Sequence, residues 1–198
     1  MKNLKKSYVV YLLLSILFVA CKKDDSNTTA TPVSLRGIYT FSSSSNFEVF
    51  RWGAGGSEIT ISEIEKNELL DELDSYTEDG YYNFISDSVM YFVDTVNQTT
   101  DTVKYKVTGD VVYIDVRDIP FFGVDYYPLF KVSGSTLYSN YYYVNFEDQS
   151  GASGIGMQTV ENINLVDSVL AEMGYSSLAD LKADEQLTYM HHKKNYKK

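Results

Sequence analysis

Between residues 35 and 147 several stretches alternate apolar and polar residues. Val103, Tyr105 and Val107 alternate with Thr102, Lys104, Lys106 and Thr108; Val112, Ile114 and Val116 alternate with Val111, Tyr113 and Asp115. A period of two sends successive side chains to opposite faces, so these stretches predict half-buried β-strands. Gly109-Asp110 between them predicts a hairpin turn. Strand signals of the same kind cover residues 35–41, 47–52, 58–61, 81–85, 89–93 and 137–146, whereas residues 119–127 are aromatic with Pro120, Gly123 and Pro128 disrupting regular pairing, and Phe130 and Val132 lead into a turn at 133–135. The four serines at 42–45 read as the turn between the first two. Tyr141-Tyr142-Tyr143 puts Tyr142 on one strand face and the other two rings on the opposite face.

The period changes twice. Ser62-x-x-Glu65 has the form of a capping box, and Ile64, Leu69, Leu70 and Leu73 follow at helical spacing, which predicts a helix from 62 to about 74. After residue 150, the glycine-rich stretch 151–156 reads as a flexible linker; it lacks the Gly-Lys-Ser/Thr of a phosphate loop. Val160, Ile163, Val166, Leu170 and Met173 then predict a helix stopped by Gly174. Ser177-x-x-Asp180 predicts the start of a second helix, with Leu178, Leu181 and Leu187 on its buried side and a basic last turn.

The expected fold is mainly β: an antiparallel meander over 34–150 with a short inserted helix, followed by a linker and one or two C-terminal helices over 151–198. Its opening strand, Gly37-Ile38-Tyr39, and the hairpin at 105–111 resemble the lipocalin-like domains of secreted Bacteroidetes lipoproteins; Tyr39 stands where the lipocalin signature carries Trp. That resemblance covers residues 34–147 and implies an eight-stranded barrel or half-barrel, holding an apolar small molecule or filled by its own side chains.

The front of the chain belongs to no fold. Lys2, Lys5 and Lys6 precede an apolar run of 13 residues, 8–20, broken only by Ser15. A membrane-spanning helix needs about 20 apolar residues, so the run reads as the core of a signal peptide, residues 1–20. Leu17-Phe18-Val19-Ala20-Cys21 resembles the lipobox of bacterial lipoproteins. The resemblance implies cleavage between Ala20 and Cys21 and a lipid on the Cys21 thiol. Lys22, Lys23, Asp24 and Asp25 resemble the export signal that sends Bacteroidetes lipoproteins to the outer membrane, facing out. Residues 21–33 would then be a lipidated N-terminus and polar tether.

Charge and composition narrow the chemistry. The chain has 198 residues, 17 basic and 27 acidic, a net charge of −10. Between 26 and 192 there are 8 basic and 25 acidic residues, a net of −17, which argues against nucleic acid as a partner. One cysteine excludes an internal disulfide, and the only histidines, His191 and His192, lie in a basic tail; no Gly-x-Ser-x-Gly elbow exists. No catalytic residue, metal site or cofactor is assigned. Acidic residues 71, 74, 78 and 79 read as a solvated helix end rather than a calcium loop. Tyrosine is abundant, 18 residues against a single Trp. Trp52, Tyr126 and Tyr127 are the candidate contacts for an apolar ligand or, as the alternative, a glycan. Asp115, Asp118 and Asp125 near an aromatic loop offer carboxylates for sugar hydroxyls. The expected function is non-enzymatic: a membrane-anchored, surface-exposed module for a small apolar ligand or an interaction partner.

Overall fold

The computed structural model describes residues 34–78, 80–119 and 124–198. Nine strands form one antiparallel sheet: β1 (Gly37–Trp52), β2 (Gly80–Phe84), β3 (Val89–Asp94), β4 (Thr99–Thr108), β5 (Val111–Asp115), β6 (Tyr126–Ser133), β7 (Thr136–Asp148), β8 (Gly151–Thr159) and β9 (Gln186–Lys197). Eight close into a lipocalin-like barrel in the order β1-β2-β3-β4-β5-β6-β7-β9, with β9 pairing back to β1. The ninth, β8, pairs with the part of β7 that β6 does not reach. β6 holds β7 only from Lys131↔Tyr138 to Ser133↔Thr136, and β8 takes over from Asn140↔Thr159 to Asp148↔Gly151. Three strands are therefore longer than the barrel is tall. β1, β9 and β7 run on together, and with β8 they make a four-stranded extension of the barrel wall.

The barrel interior is filled by its own side chains. Leu35, Tyr39, Phe84, Met90, Tyr105, Val112, Phe130, Leu137 and Tyr196 are all buried. Their rings meet edge to face: Tyr82–Phe130 at 4.7 Å, Phe84–Tyr105 at 5.0 Å, and Phe130–Tyr196 and Tyr82–Tyr196 both at 5.4 Å. Such contacts add to the area that the rings bury. Of the two possibilities for the barrel, a ligand hold or a packed core, the described side chains make it a packed core.

The extension is covered on both faces. Helix α1 (Glu63–Glu78) lies against β1. On the opposite face, α2 (Leu165–Glu172) and the segment to Leu181 bury Leu165, Val169, Leu170 and Leu181 against Tyr142, Val144 and Leu187 of β7 and β9. Both helix signals have their physical counterparts. Ser62 Oγ accepts from Glu65 N–H at 3.2 Å, the forward half of the capping box. The Glu65 carboxylate does not return to Ser62 but receives Arg51 Nη1 at 2.6 Å. At the end of α2, Tyr175 N–H bonds Leu170 C=O, Gly174 N–H bonds Ala171 C=O, and Gly174 has φ +79°. This is a Schellman stop with glycine in the left-handed position.

Three sequence expectations are corrected. The serines at 42–45 are not a turn: β1 is continuous through them, with irregularities between Phe41 and Ser43 and between Ser45 and Glu48. Residues 151–156 are not a linker but part of β8, because Gly154 and Gly156 leave room for the rings of Tyr143 and Tyr141 across the strand pair. Ser177 and Asp180 do form a capping box, yet it supports only a 3₁₀ turn, Leu178–Asp180. The chain then becomes β9, not a helix, and the barrel closes through it. Residues 151–198 are thus not a helical appendage to a finished β unit.

Candidate functional site

The outer face of the extension carries an aromatic floor. Phe50 and Trp52 are two residues apart on β1 and so share a face; Phe50 is directly paired with Tyr189 of β9. Phe50 and Trp52 stack at 6.0 Å with 14° between planes, and Phe50 and Tyr189 at 6.3 Å with 28°. Ile163, Val166 and Leu178 form a wall beside them, and Asn162 and Asn164 supply amides at the rim. The resulting groove is open to solvent and has a volume of about 560 Å³, within the roughly 300–1,000 Å³ range of small-molecule sites. Phe50 is 41% exposed. Exposed apolar rings clustered in a concave surface mark binding sites more often than isolated ones do.

The two rim amides differ. Asn164 caps α2: its side chain accepts from Asp167 N–H and donates to the Asp167 carboxylate at 2.6 Å. Asn162 offers its Oδ1 to Tyr142 OH at 3.4 Å, while that hydroxyl donates at 3.0 Å to Glu161 C=O. Asn162 is therefore the polar group least committed to the fold. The lining of the groove is chiefly aromatic and aliphatic.

Of the three aromatic residues proposed from sequence, only Trp52 lies in this groove. Tyr126 and Tyr127 alternate along β6. Tyr126 lies beneath Lys106 Nζ, 3.5 Å from its ring centre. The Tyr127 hydroxyl is enclosed, and burial pushes it up to about 12. The three do not form one platform. Phe50 and Tyr189 were missed; the alternation Phe50-x-Trp52 was the available signal. Cys21, Ala20, Lys22, Lys23, Asp24 and Asp25 lie outside the described residues, as do Phe121 and Phe122. Asp115 is held by Arg117 through two contacts, 2.9 and 2.6 Å. Those hydrogen bonds keep its carboxyl down at about 2, which suits a structural ion and not a proton carrier.

A second cluster is buried on the opposite face of the extension, under α1. His192 of β9 is fully buried, and neither of its ring nitrogens has a hydrogen-bond partner among the described residues. A buried polar group left in this state costs roughly 1–3 kcal/mol. Its Nδ1 is 3.7 Å from Asp74 Oδ1 of α1, beyond hydrogen-bond distance. Desolvation first, then Lys194 and His191, hold the imidazole down at about 3. Lys194, two residues along the strand, is 3% exposed, with its Nζ 4.0 Å from the Tyr141 ring centre. Burial lowers it to about 8, although Asp74 opposes the shift. Asp74 is not the solvated helix end expected from sequence: it accepts from Ser44 Oγ at 2.6 Å. A catalytic triad needs the histidine between serine and carboxylate. Here the carboxylate lies between the other two, so the cluster has the members but not the order. No three His, Cys, Asp or Glu side chains among the described residues gather as a metal site requires.

Scans against protein-family models, curated proteins and solved structures find no match to this chain.

Proposed function

We propose that the protein is an outer-membrane lipoprotein of the Bacteroidetes type, anchored through acyl chains on Cys21 and facing the exterior. Its role in this reading is non-enzymatic binding of a small apolar or amphiphilic ligand, in the groove outside the barrel. Two kinds of observation support the two halves. For the anchor there is the succession of basic start, short apolar run, Ala20-Cys21 and Lys-Asp-Asp. Among the described residues no helix is long and apolar enough to cross a membrane. For the binding role, the supporting observation is the floor of three near-parallel rings, Phe50, Trp52 and Tyr189, in an open groove of about 560 Å³. The packed barrel core supports a site on this outer surface rather than inside the barrel.

Trp52 is the chain's sole tryptophan, so its emission reports on the groove. Titration with 8-anilinonaphthalene-1-sulfonate should quench or shift that emission saturably. Phe50→Ala should weaken the probe's affinity about tenfold, near the 1.4 kcal/mol expected from losing one buried ring contact. Emission that stays unchanged while the probe binds elsewhere would remove the groove from the proposal. The anchor has its own test: mass spectrometry of the N-terminal peptide should find diacylglyceryl on Cys21, and Cys21→Ser should lose it.

The glycan reading keeps one specific support, since flat rings with an amide at the rim can stack a sugar face. Binding on a glycan array that Trp52→Ala abolishes would favour it over the apolar ligand.

A further inference from the structure

Charge is unevenly placed along the barrel axis. The hairpin turns at 85–88, 109–110 and 134–135 share one end of the barrel with the start of β1 and the end of β9, since Gly37 pairs with Phe84, and Lys197 with both Thr40 and Thr136. Residues 34–38, 85–89, 104–111, 131–136 and 196–198 make up this turn end. They carry six basic residues, Arg36, Lys104, Lys106, Lys131, Lys197 and Lys198, and two acidic ones, Asp87 and Asp110. All other described residues together hold six basic and 22 acidic. A net of +4 at the turn end therefore stands against −16 over the rest. Both acids of the turn end are bridged, Asp87 to Arg36 at 3.4 Å and Asp110 to Lys131 at 3.2 Å.

Aliphatic side chains are exposed among these cations. Ile38 is 48% and Ile85 43% exposed. Gly37 pairs with Phe84, Val89 pairs with Lys104, and Ile85 N–H bonds Val89 C=O. Arg36, Ile38, Ile85, Val89 and Lys104 therefore adjoin on the outer wall, while Leu35, Tyr39, Phe84, Met90 and Tyr105, which alternate with them, fill the barrel. Aliphatic tips with cations beside them suit the boundary of a bilayer, where apolar groups enter the headgroup layer and Lys and Arg meet anionic lipid. The anchor selects this partner over others. The described chain begins at Ser34, at this same end, and thirteen residues separate Ser34 from Cys21. At no more than about 3.6 Å each, they hold the turn end within about 47 Å of the anchored thiol. Such a leash gives a high effective concentration, so a weak contact suffices.

We propose that the turn end of the barrel rests on an anionic lipid surface, with Ile38 and Ile85 at headgroup level and Arg36, Lys104, Lys197 and Lys198 on the lipid phosphates. The inference rests on the anchored reading of the chain. The same surface repels the acidic extension, so the two ends act together as an orienting dipole. Phe50, Trp52 and Tyr189 lie at the opposite ends of β1 and β9. The groove is thereby presented away from the bilayer.

The test attaches the chain to a membrane without the cell. The chain from Cys21 onward holds every described residue, and its sole thiol can be coupled to a maleimide-headgroup lipid. The vesicles are phosphatidylcholine and phosphatidylglycerol with a nitroxide-headgroup quencher. Native Trp52 reports on the groove end, and Ile85→Trp in a Trp52→Phe background reports on the turn end. An orientation bias of several kT should quench the second reporter about threefold more than the first. Arg36→Glu with Lys104→Glu should abolish that excess. Lys197→Glu with Lys198→Glu, both exposed, should reduce it and serves if the first pair misfolds. Equal quenching of the two reporters would overturn the proposal. So would an excess that survives both charge reversals or is unchanged in phosphatidylcholine alone. A dimer of the uncoupled chain in sedimentation, dissociated by Ile85→Glu, would give the surface to a second copy and overturn it too. The coupling is chemical, so the result does not depend on acylation in the cell. An unmodified Cys21 in the native protein would remove the natural anchor, whereas equal quenching would remove the lipid-facing surface.

Discussion

The barrel and its extension are made from the same three long strands, yet they solve burial in opposite ways. Inside the barrel, β9 contributes Tyr196, which packs edge to face against Phe130 and Tyr82. Two and four residues earlier, on the same face of the same strand, stand Lys194 and His192, both almost wholly buried. The barrel is closed by rings packed on one another, and the hydroxyls of Tyr105 and Tyr196 have partners in Ser86 C=O and Gln158. The extension's inner face is closed by a helix over polar groups, among them an imidazole without one. Its outer face follows a third course, with α2 sealing Leu187 and Tyr142 and leaving Phe50 and Trp52 at a groove. Rigidity is concentrated where the strand buries rings, and candidate function where the same strand passes out of the barrel.

The largest expected effect breaks the barrel. Phe130 is 0% exposed and touches two rings. Phe130→Ala should cost about 3–5 kcal/mol in urea denaturation, the usual range for a fully buried phenylalanine. A loss below about 2 kcal/mol would mean that the barrel can collapse around the gap, and the contrast with the extension would weaken. A middle effect lies at the joint with β8. A methyl group at Gly154 would land on the ring of Tyr143, and Gly154→Ala should cost about 1–3 kcal/mol through overpacking. In a Tyr143→Ala background the same change should cost under about 0.5 kcal/mol, because the clash is gone. Equal costs in both backgrounds would show that the glycine serves its backbone and not the ring.

How legible these regions were in the sequence follows the same division. The barrel strands from 81 to 116 were readable because one face is apolar and the other meets water, so period two is visible. β9 was not. Leu187, Thr188, Tyr189, Met190, His191 and His192 are covered on both sides, by α2 and by α1, and a strand buried on two faces shows no alternation. With its lysines it imitates the basic last turn of a helix. β8 was hidden for a related reason. Gly154 and Gly156 look like a flexible joint until the tyrosines opposite them on β7 are known, and strand pairing is not a local property. The groove was half legible: Trp52 stood out as the sole tryptophan, but Tyr189 reaches it only through the β1–β9 register. His192 was set aside as a tail residue, and nothing near it in sequence indicates the helix that buries it.

The smallest expected effect sharpens the contrast on the helix side. Arg51 bridges α1 and the sheet: its Nη1 reaches Glu65 at 2.6 Å and its Nε donates to Thr188 Oγ1 at 3.0 Å. The pair is only partly shielded, with 19% of the Arg51 side chain and 38% of the Glu65 side chain exposed. Glu65→Gln should therefore cost only about 0.5 kcal/mol of global stability, as partly exposed ion pairs usually do, and less in high salt. Thr188 still holds the guanidinium in place, so the β1–β9 pairing should not change. The informative readout is local. If the Arg51–Glu65 contact helps to hold α1 on the sheet, removing the Glu65 charge should speed amide exchange in residues 63–74 by about twofold for 0.5 kcal/mol, and unchanged exchange there would mean that the contact does not hold the helix.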